Sequence, residues 1–195
     1  RMFLRFLAHL LILALLLLPA LAVYRAFPAA AGPVTSPPAI LGELVGPGEV
    51  RRDGGSTWSQ EAGPISLHAG DTVRVREAVS LRLAEGSVVH LSAGTTLEIV
   101  AFGEADRRLQ LRQLSGELQV QTANPFLGIE TPAAVAALRV GSYRLTVQGT
   151  ESTIAVERGT VVGKAGDSEI PIGEGEEVRI VAGQAQAVRW QRPPA

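Results

Sequence analysis

Acid–base or metal chemistry in this chain would rest on three histidines, His9, His68 and His90, because cysteine is absent. That absence removes a thiol nucleophile, a thiolate-bound metal and a disulfide framework together. His9 lies inside an apolar run, so only His68 and His90 can meet in a folded domain. Neither H-x-H nor H-E-x-x-H spacing occurs, and those spacings place two imidazoles on one metal. A serine nucleophile would need a strained elbow such as G-x-S-x-G, and the chain has none. Gly173-Glu174-Gly175-Glu176-Glu177 is glycine-rich, but it is acidic and set between strands, so it offers no amide cradle to a phosphate. With Asp167 and Glu169 these carboxylates could collect a calcium ion loosely. They lack the ligand spacing of a calcium loop and read better as a solvated hairpin. We therefore assign no catalytic, cofactor-binding or metal-binding residue, and expect no enzyme and no cofactor.

The cations carry more information. Arg74, Arg76, Arg82, Arg108, Arg112, Arg139, Arg144 and Arg179 all alternate with apolar residues. Aligned on neighbouring strands they would form a face for carboxylates or a partner protein. With Glu, Gln and Thr interspersed they would form a plain solvated surface, and this is the favoured outcome. Trp58 could stack on a ligand, but its large area argues for filling the core at an open end of the domain.

The elements that would position these residues are short strands. Leu138 and Val140, then Tyr143, Leu145 and Val147, then Ile154 and Val156 fall two apart, with polar residues between. A period of two means one buried and one solvated face. Glycines such as Gly141, Gly149, Gly159 and Gly166 mark the reversals. Weak strands are expected over Gly42–Val45 and Glu49–Arg51, with a turn at Asp53-Gly54-Gly55. Further strands follow over Thr72–Arg76, Ser80–Leu83, Val88–Leu91, Thr95–Val100, Leu109–Leu114, Glu117–Gln121 and Phe126–Glu130. The pair Leu109–Leu114 and Glu117–Gln121 is expected to close as a hairpin at Ser115-Gly116. One helical turn is possible over Pro132–Leu138. Ala187–Trp190 reads as a last edge strand. About thirteen short strands at near-regular spacing predict an all-β fold, an antiparallel sandwich or jelly-roll-like domain.

Residues 1–27 read RMFLRFLAHLLILALLLLPALAVYRAF. Arginines ahead of an apolar run and a small-x-small site fit a signal peptide cleaved after Ala22. Phe6 to Tyr24 is also just long enough to span a membrane as a helix, with Arg1 and Arg5 on the cytoplasmic side. The anchor is favoured because a proline- and alanine-rich spacer, residues 28–41, comes next. The β domain then occupies residues 42–190, and 191–195 form a frayed tail. Both readings place the bulk of the chain outside the cytoplasm, in the cell envelope. Lys+Arg 18 against Asp+Glu 19 leaves a net charge of −1, so nothing points to nucleic acid.

Several motifs, in order, resemble those of the FecR domain family. Ile65 to Val73, with Gly70-Asp71, resembles its L-x-x-G-D-x-I entry, and Ser80 to Leu91, with Glu85-Gly86-Ser87, resembles its L-x-L-x-D-G-S strand pair. Thr131-Pro132, Arg139-Val140-Gly141-Ser142, Val156 to Val161 around Gly159, and Gly175-Glu176-Glu177-Val178 complete the pattern. Glu85 stands where Asp is usual, and Ser142 where Thr is frequent. The resemblance covers Leu44 to Gly183. It implies a membrane-tethered extracytoplasmic module that receives an envelope protein partner, docking it by surface contact or strand addition. With a cytoplasmic segment ahead of Arg1, it implies regulation of a sigma factor. Without one, the resemblance implies only the sensor-like module. The alternative is a stand-alone structural or polysaccharide-binding β domain of the envelope.

Overall fold

The structure, a computed structural model, describes residues 39–102, 109–122, 127–181 and 190–191. The hydrophobic stretch 1–27 and the spacer up to residue 38 lie outside the described residues, as does most of the expected last strand. Every regular element described is a strand. They run β1 (Gly42–Val45), β2 (Gly48–Arg51), β3 (Ser59–Glu61), β4 (Pro64–Leu67), β5 (Thr72–Arg74), β6 (Val79–Leu83), β7 (Val88–Leu91) and β8 (Thr96–Phe102). Then come β9 (Leu109–Thr122), β10 (Leu127–Glu130), β11 (Val135–Leu138), β12 (Gly141–Gln148) and β13 (Glu151–Arg158). The chain closes with β14 (Val161–Ala165), β15 (Ser168–Ile172), β16 (Glu176–Val181) and β17 (Trp190–Gln191).

All these strands join one hydrogen-bonded system that falls into two ladders. The first runs β4–β1–β6–β7–β9–β12–β13–β16–β17. The second runs β3–β2–β5–β8–β9–β10–β11–β14–β15. Strand β9 belongs to both. Its first half pairs with β8 and β10, and its second half, from Gly116 onward, pairs with β7 and β12. The expected hairpin at Ser115-Gly116 is therefore a crossing point inside one 14-residue strand. Gly116 takes φ +89° there, where a Cβ would collide with Thr95. That is a bend demanding glycine, not a reversal. Buried Gln113 braces the crossing, donating from Nε2 to the carbonyls of Gly116 (2.8 Å) and Leu145 (3.3 Å).

Two other expectations change. The sheet is mixed and not purely antiparallel, because β9 and β10 pair in parallel. Residues 132–138 hold no helical turn but run into β11, with Ala136 and Leu138 pointing inward.

The period of two is what builds the core. Tyr143, Leu145 and Val147 of β12 and Ile154 and Val156 of β13 are buried, while Arg144, Thr146 and Glu157 lie on the other face. Inward residues of both ladders form one apolar cluster, from Leu41 to Ile180. Each fully buried Leu, Ile or Val in it contributes about 1.5–3 kcal/mol relative to exposure. Among the described residues, strands β3, β4, β15 and the two-residue β17 have a neighbour on one side only. Pro64 opens β4 and Pro171 sits within β15, so two of these edges carry proline, which discourages a further strand. Strand β3 carries none.

Candidate interaction surface

The motif residues that carry the sequence resemblance prove to be turn builders. The Asp71 carboxylate is buried and accepts from the backbone N–H of His68 (2.9 Å) and of Asp53 (3.2 Å), and from Arg52 (2.9 Å). It thereby fastens the β4–β5 turn to the β2–β3 loop. A Cβ on Gly70 would collide with Asp53, which is why glycine precedes it. Burial alone would lower the Arg52 pKa, but the Asp71 hydrogen bond and the charges of Glu61 and Asp71 outweigh it and raise the value. Glu85 accepts from both the N–H and the hydroxyl of Ser87 (2.9 Å each), so glutamate does the work at this turn where aspartate is usual. The Ser87 hydroxyl oxygen in turn accepts from the Thr122 hydroxyl of β9 (2.8 Å). Thr131 exchanges bonds with Ala134 and accepts from Ser152 (2.8 Å). Glu176 accepts from the N–H of Gly173 (2.8 Å).

The tightest of these devices surrounds Tyr143, which is fully buried. Its single hydroxyl proton is shared among the carbonyls of Arg139 (2.9 Å), Thr160 (3.0 Å) and Val140 (3.3 Å). Gly141 and Gly159 leave the space it needs. Burial, the leading cause, pushes the phenol pKa up.

The histidines do not converge. His68 lies beside Asp71, with Nδ1 3.5 Å from its carboxylate, while His90 stands on the outer face of β7. Ser80 and His90 face each other across β6 and β7 at 2.9 Å. Among the described residues, no carboxylate bonds to His90. The pair also sits on an exposed strand face, so the orienting acid and enclosed site of a serine nucleophile are missing there. No group of three His, Asp or Glu among the described residues is placed to hold a metal. His9 is outside the described residues.

Most of the outward arginines meet glutamates on adjacent strands. Arg112 bonds Glu98 and Glu130 (3.1 Å each), Arg144 bonds Glu157 (2.9 Å), and Arg179 pairs with Glu151. Burial would pull the Arg112 pKa down, but its glutamate partners hold it above the usual value. Glu157 also accepts from Ser142 (3.0 Å). Register explains this order. On the second ladder one outer row reads Arg51, Thr72, Glu98, Arg112, Glu130, Val135, Lys164, Glu169. Opposite charges thus sit side by side, the favourable cross-strand arrangement. Arg82 and Arg139 are exposed with no ion-pair partner among the described residues, and Arg108 lies outside them.

One place departs from this neutral pattern. At the β3 edge, Trp58 is only partly buried and lies outside the core cluster. The expectation that it fills the core is wrong, because register puts it on the outer face beside Arg51, one position before β3. The Arg74 and Arg51 guanidinium carbons lie 4.6 and 5.2 Å from its ring centroid, within cation–π range. Arg74 Nε bonds Glu49 (2.7 Å), and Arg76 pairs with the other oxygen of the same carboxylate. The Arg74 hydrogen bond leads the causes that hold the Glu49 pKa below its ordinary value, against a smaller opposing effect of burial. Among the described residues, Arg51 hydrogen-bonds only the Thr72 hydroxyl (3.2 Å). Pro47, Gly48, Glu49, Gln60, Arg74, Arg76 and Glu77 line a groove of about 250 Å³ alongside. The sequence singles out Trp58, Arg74 and Arg76 one by one, but not as neighbours. Only strand register brings residues 49, 51, 58, 74 and 76 together.

Fold and surface together define an all-β module whose chemistry is concentrated on a cationic, tryptophan-bearing edge. The family model described as FecR protein matches residues 71–162, and this chain carries a FecR domain over that stretch. The fold is similar to two crystal structures, at 2.50 and 1.65 Å, of a candidate anti-sigma factor from Parabacteroides distasonis ATCC 8503. TM-scores are 0.55 and 0.53 at 18% identity, over 62% of this chain. The chain spans 59% of the length of those structures. No curated protein matches it.

Proposed function

We propose that this chain is a membrane-tethered, extracytoplasmic interaction and sensory module of the cell envelope, working in signal transduction and not in catalysis. The observation that carries this is the division of labour in the β domain. Asp71, Ser87, Thr131, Gly141 and Gly159 lie within the matched stretch and serve turns. The cluster of Arg51 and Arg74 around Trp58 lies on an exposed strand edge, where a partner can reach it. The arginines preceding the apolar run at residues 1–27, and the spacer after it, support tethering with the β domain outside the cytoplasm. Likeness in fold to a candidate anti-sigma factor supports a regulatory output, with a sigma factor as its target where a cytoplasmic segment precedes the apolar run.

The test is protease access to the β domain in intact spheroplasts of the native host, combined with transcript profiles after in-frame deletion of residues 39–191. Cleavage from outside, with the protein retained in carbonate-washed membranes, and an altered transcript set are the expected results. Protection from external protease, or an unchanged transcript set under every envelope condition tried, would remove this reading.

A further inference from the structure

From the geometry of the β3 edge we infer a docking site for an extended, acidic segment of a partner protein, added beside β3 with its carboxylates on the Trp58 arginines. This inference rests on the interaction reading above and names the surface and the ligand chemistry.

Three observations converge on this edge. First, among the described residues β3 pairs only with β2, and it carries no proline, unlike β4 and β15. An edge of this kind has a row of unpaired backbone donors and acceptors. Second, the strand is held in place from both ends. Glu61 takes a two-oxygen bond from Arg52 (2.9 Å each), and Arg52 is anchored to buried Asp71. At the other end Trp58 is clasped by Arg51 and Arg74. A pre-ordered edge loses less entropy when a partner adds to it.

Third, the charge sits where an added strand would run. Arg74 belongs to β5, which lies beyond β2 from the edge, yet its guanidinium reaches the ring of Trp58 next to β3. Arg51 arrives from β2 with no carboxylate partner among the described residues. Three guanidiniums, Arg51, Arg74 and Arg76, thus share one directly paired carboxylate, Glu49. Alternate residues of an extended strand point to the same face, so carboxylates two apart would fall along this arginine cluster. Residues occupying the ring of Trp58 are cations, which argues for an anion and against a neutral sugar stacked there.

The probe is a capped synthetic peptide alternating glutamate and threonine, with its lysine–threonine counterpart as control. Trp58 fluorescence and amide shifts on β3 report binding by the β domain. The expected result is binding of the acidic peptide alone, weakening with added salt, with shifts centred on residues 58–61. Trp58→Ala and Arg51→Gln should each weaken it by about tenfold or more, roughly one lost charged contact. Equal binding of the lysine peptide, affinity unchanged in both variants, or no binding at low ionic strength would overturn the site.

A second measurement separates this inference from the broader reading: a photocrosslinking residue placed at Gln60 or at Glu169 in cells. Crosslinks from Gln60, lost in Arg51→Gln, support the site. Crosslinks from Glu169 alone refute it while leaving a partner-binding module standing. Crosslinks from neither position count against the site and the module together.

Discussion

Tyr143 and Gly159 are fitted to each other: a Cβ on Gly159 would stand 2.9 Å from the Tyr143 hydroxyl and 2.6 Å from the Val140 carbonyl. Gly159 also takes φ +97°, a conformation that side chains rarely adopt. Gly159→Ala is therefore expected to cost at least about 1–3 kcal/mol from backbone strain alone, before the clash is counted. Tyr143→Phe keeps the ring but removes the one donor to the Arg139, Val140 and Thr160 carbonyls, a loss of about 0.5–1.5 kcal/mol. Urea unfolding of both variants checks this, and an unchanged midpoint in either would contradict the tight fit.

The same phenol gives the domain an alkaline limit. Its folded pKa lies above the unfolded value of 10.0, so the folded state holds its proton longer. Its contribution is complete below pH 10 and is lost as pH rises through the raised folded value. Tyr143→Phe should flatten that alkaline decline in a pH series of unfolding midpoints.

Glu49 behaves in the opposite sense. Its folded pKa is depressed by Arg74, so its contribution is present above about pH 4.5 and disappears as pH falls through the lower folded value. In Glu49→Gln the acid-side loss of stability should be smaller than in the parent, measured by urea midpoints from neutral pH downward. An identical acid profile would show that the Arg74 and Arg76 pairs leave no mark on folding.

Asp71 joins two loops through three hydrogen bonds to one buried carboxylate. Bonds to a charged group are worth about 1.5–3 kcal/mol each where partners are left unsatisfied, although such losses do not simply add. Asp71→Ala should thus be among the most destabilising changes in the first half of the domain, with Asp71→Asn intermediate. Calorimetry orders the two, and an alanine variant as stable as the parent would refute the joining role.

Much of the architecture was legible from local pattern. Alternation in Tyr143-Arg144-Leu145-Thr146-Val147 shows which side is buried, and the Asp53-Gly54-Gly55 turn closes as expected, with the Gly55 N–H bonded to the Arg52 carbonyl (2.9 Å). The failures share one physical cause, the need for long-range pairing. Ser115-Gly116 has turn chemistry, yet β9 runs straight through it because β8 and β10 pair with one half and β7 and β12 with the other. Size alone points Trp58 to the core, since nothing local reveals that Arg51 and Arg74 stand over its ring on the outer face. The glutamate partners of Arg112, Arg144 and Arg179 likewise follow only from register, since each stands on another strand.

The most direct test compares Arg51→Gln with Tyr143→Phe in two assays at once, unfolding free energy and affinity for the acidic peptide. If the signature residues build the fold and the β3 edge does the binding, Arg51→Gln stays within about 0.5 kcal/mol of the parent in stability, as surface changes usually do, and loses affinity. Tyr143→Phe should lose stability and, at temperatures where it remains folded, keep its affinity. The reverse pattern, with binding lost in Tyr143→Phe and retained in Arg51→Gln, would contradict that separation of roles.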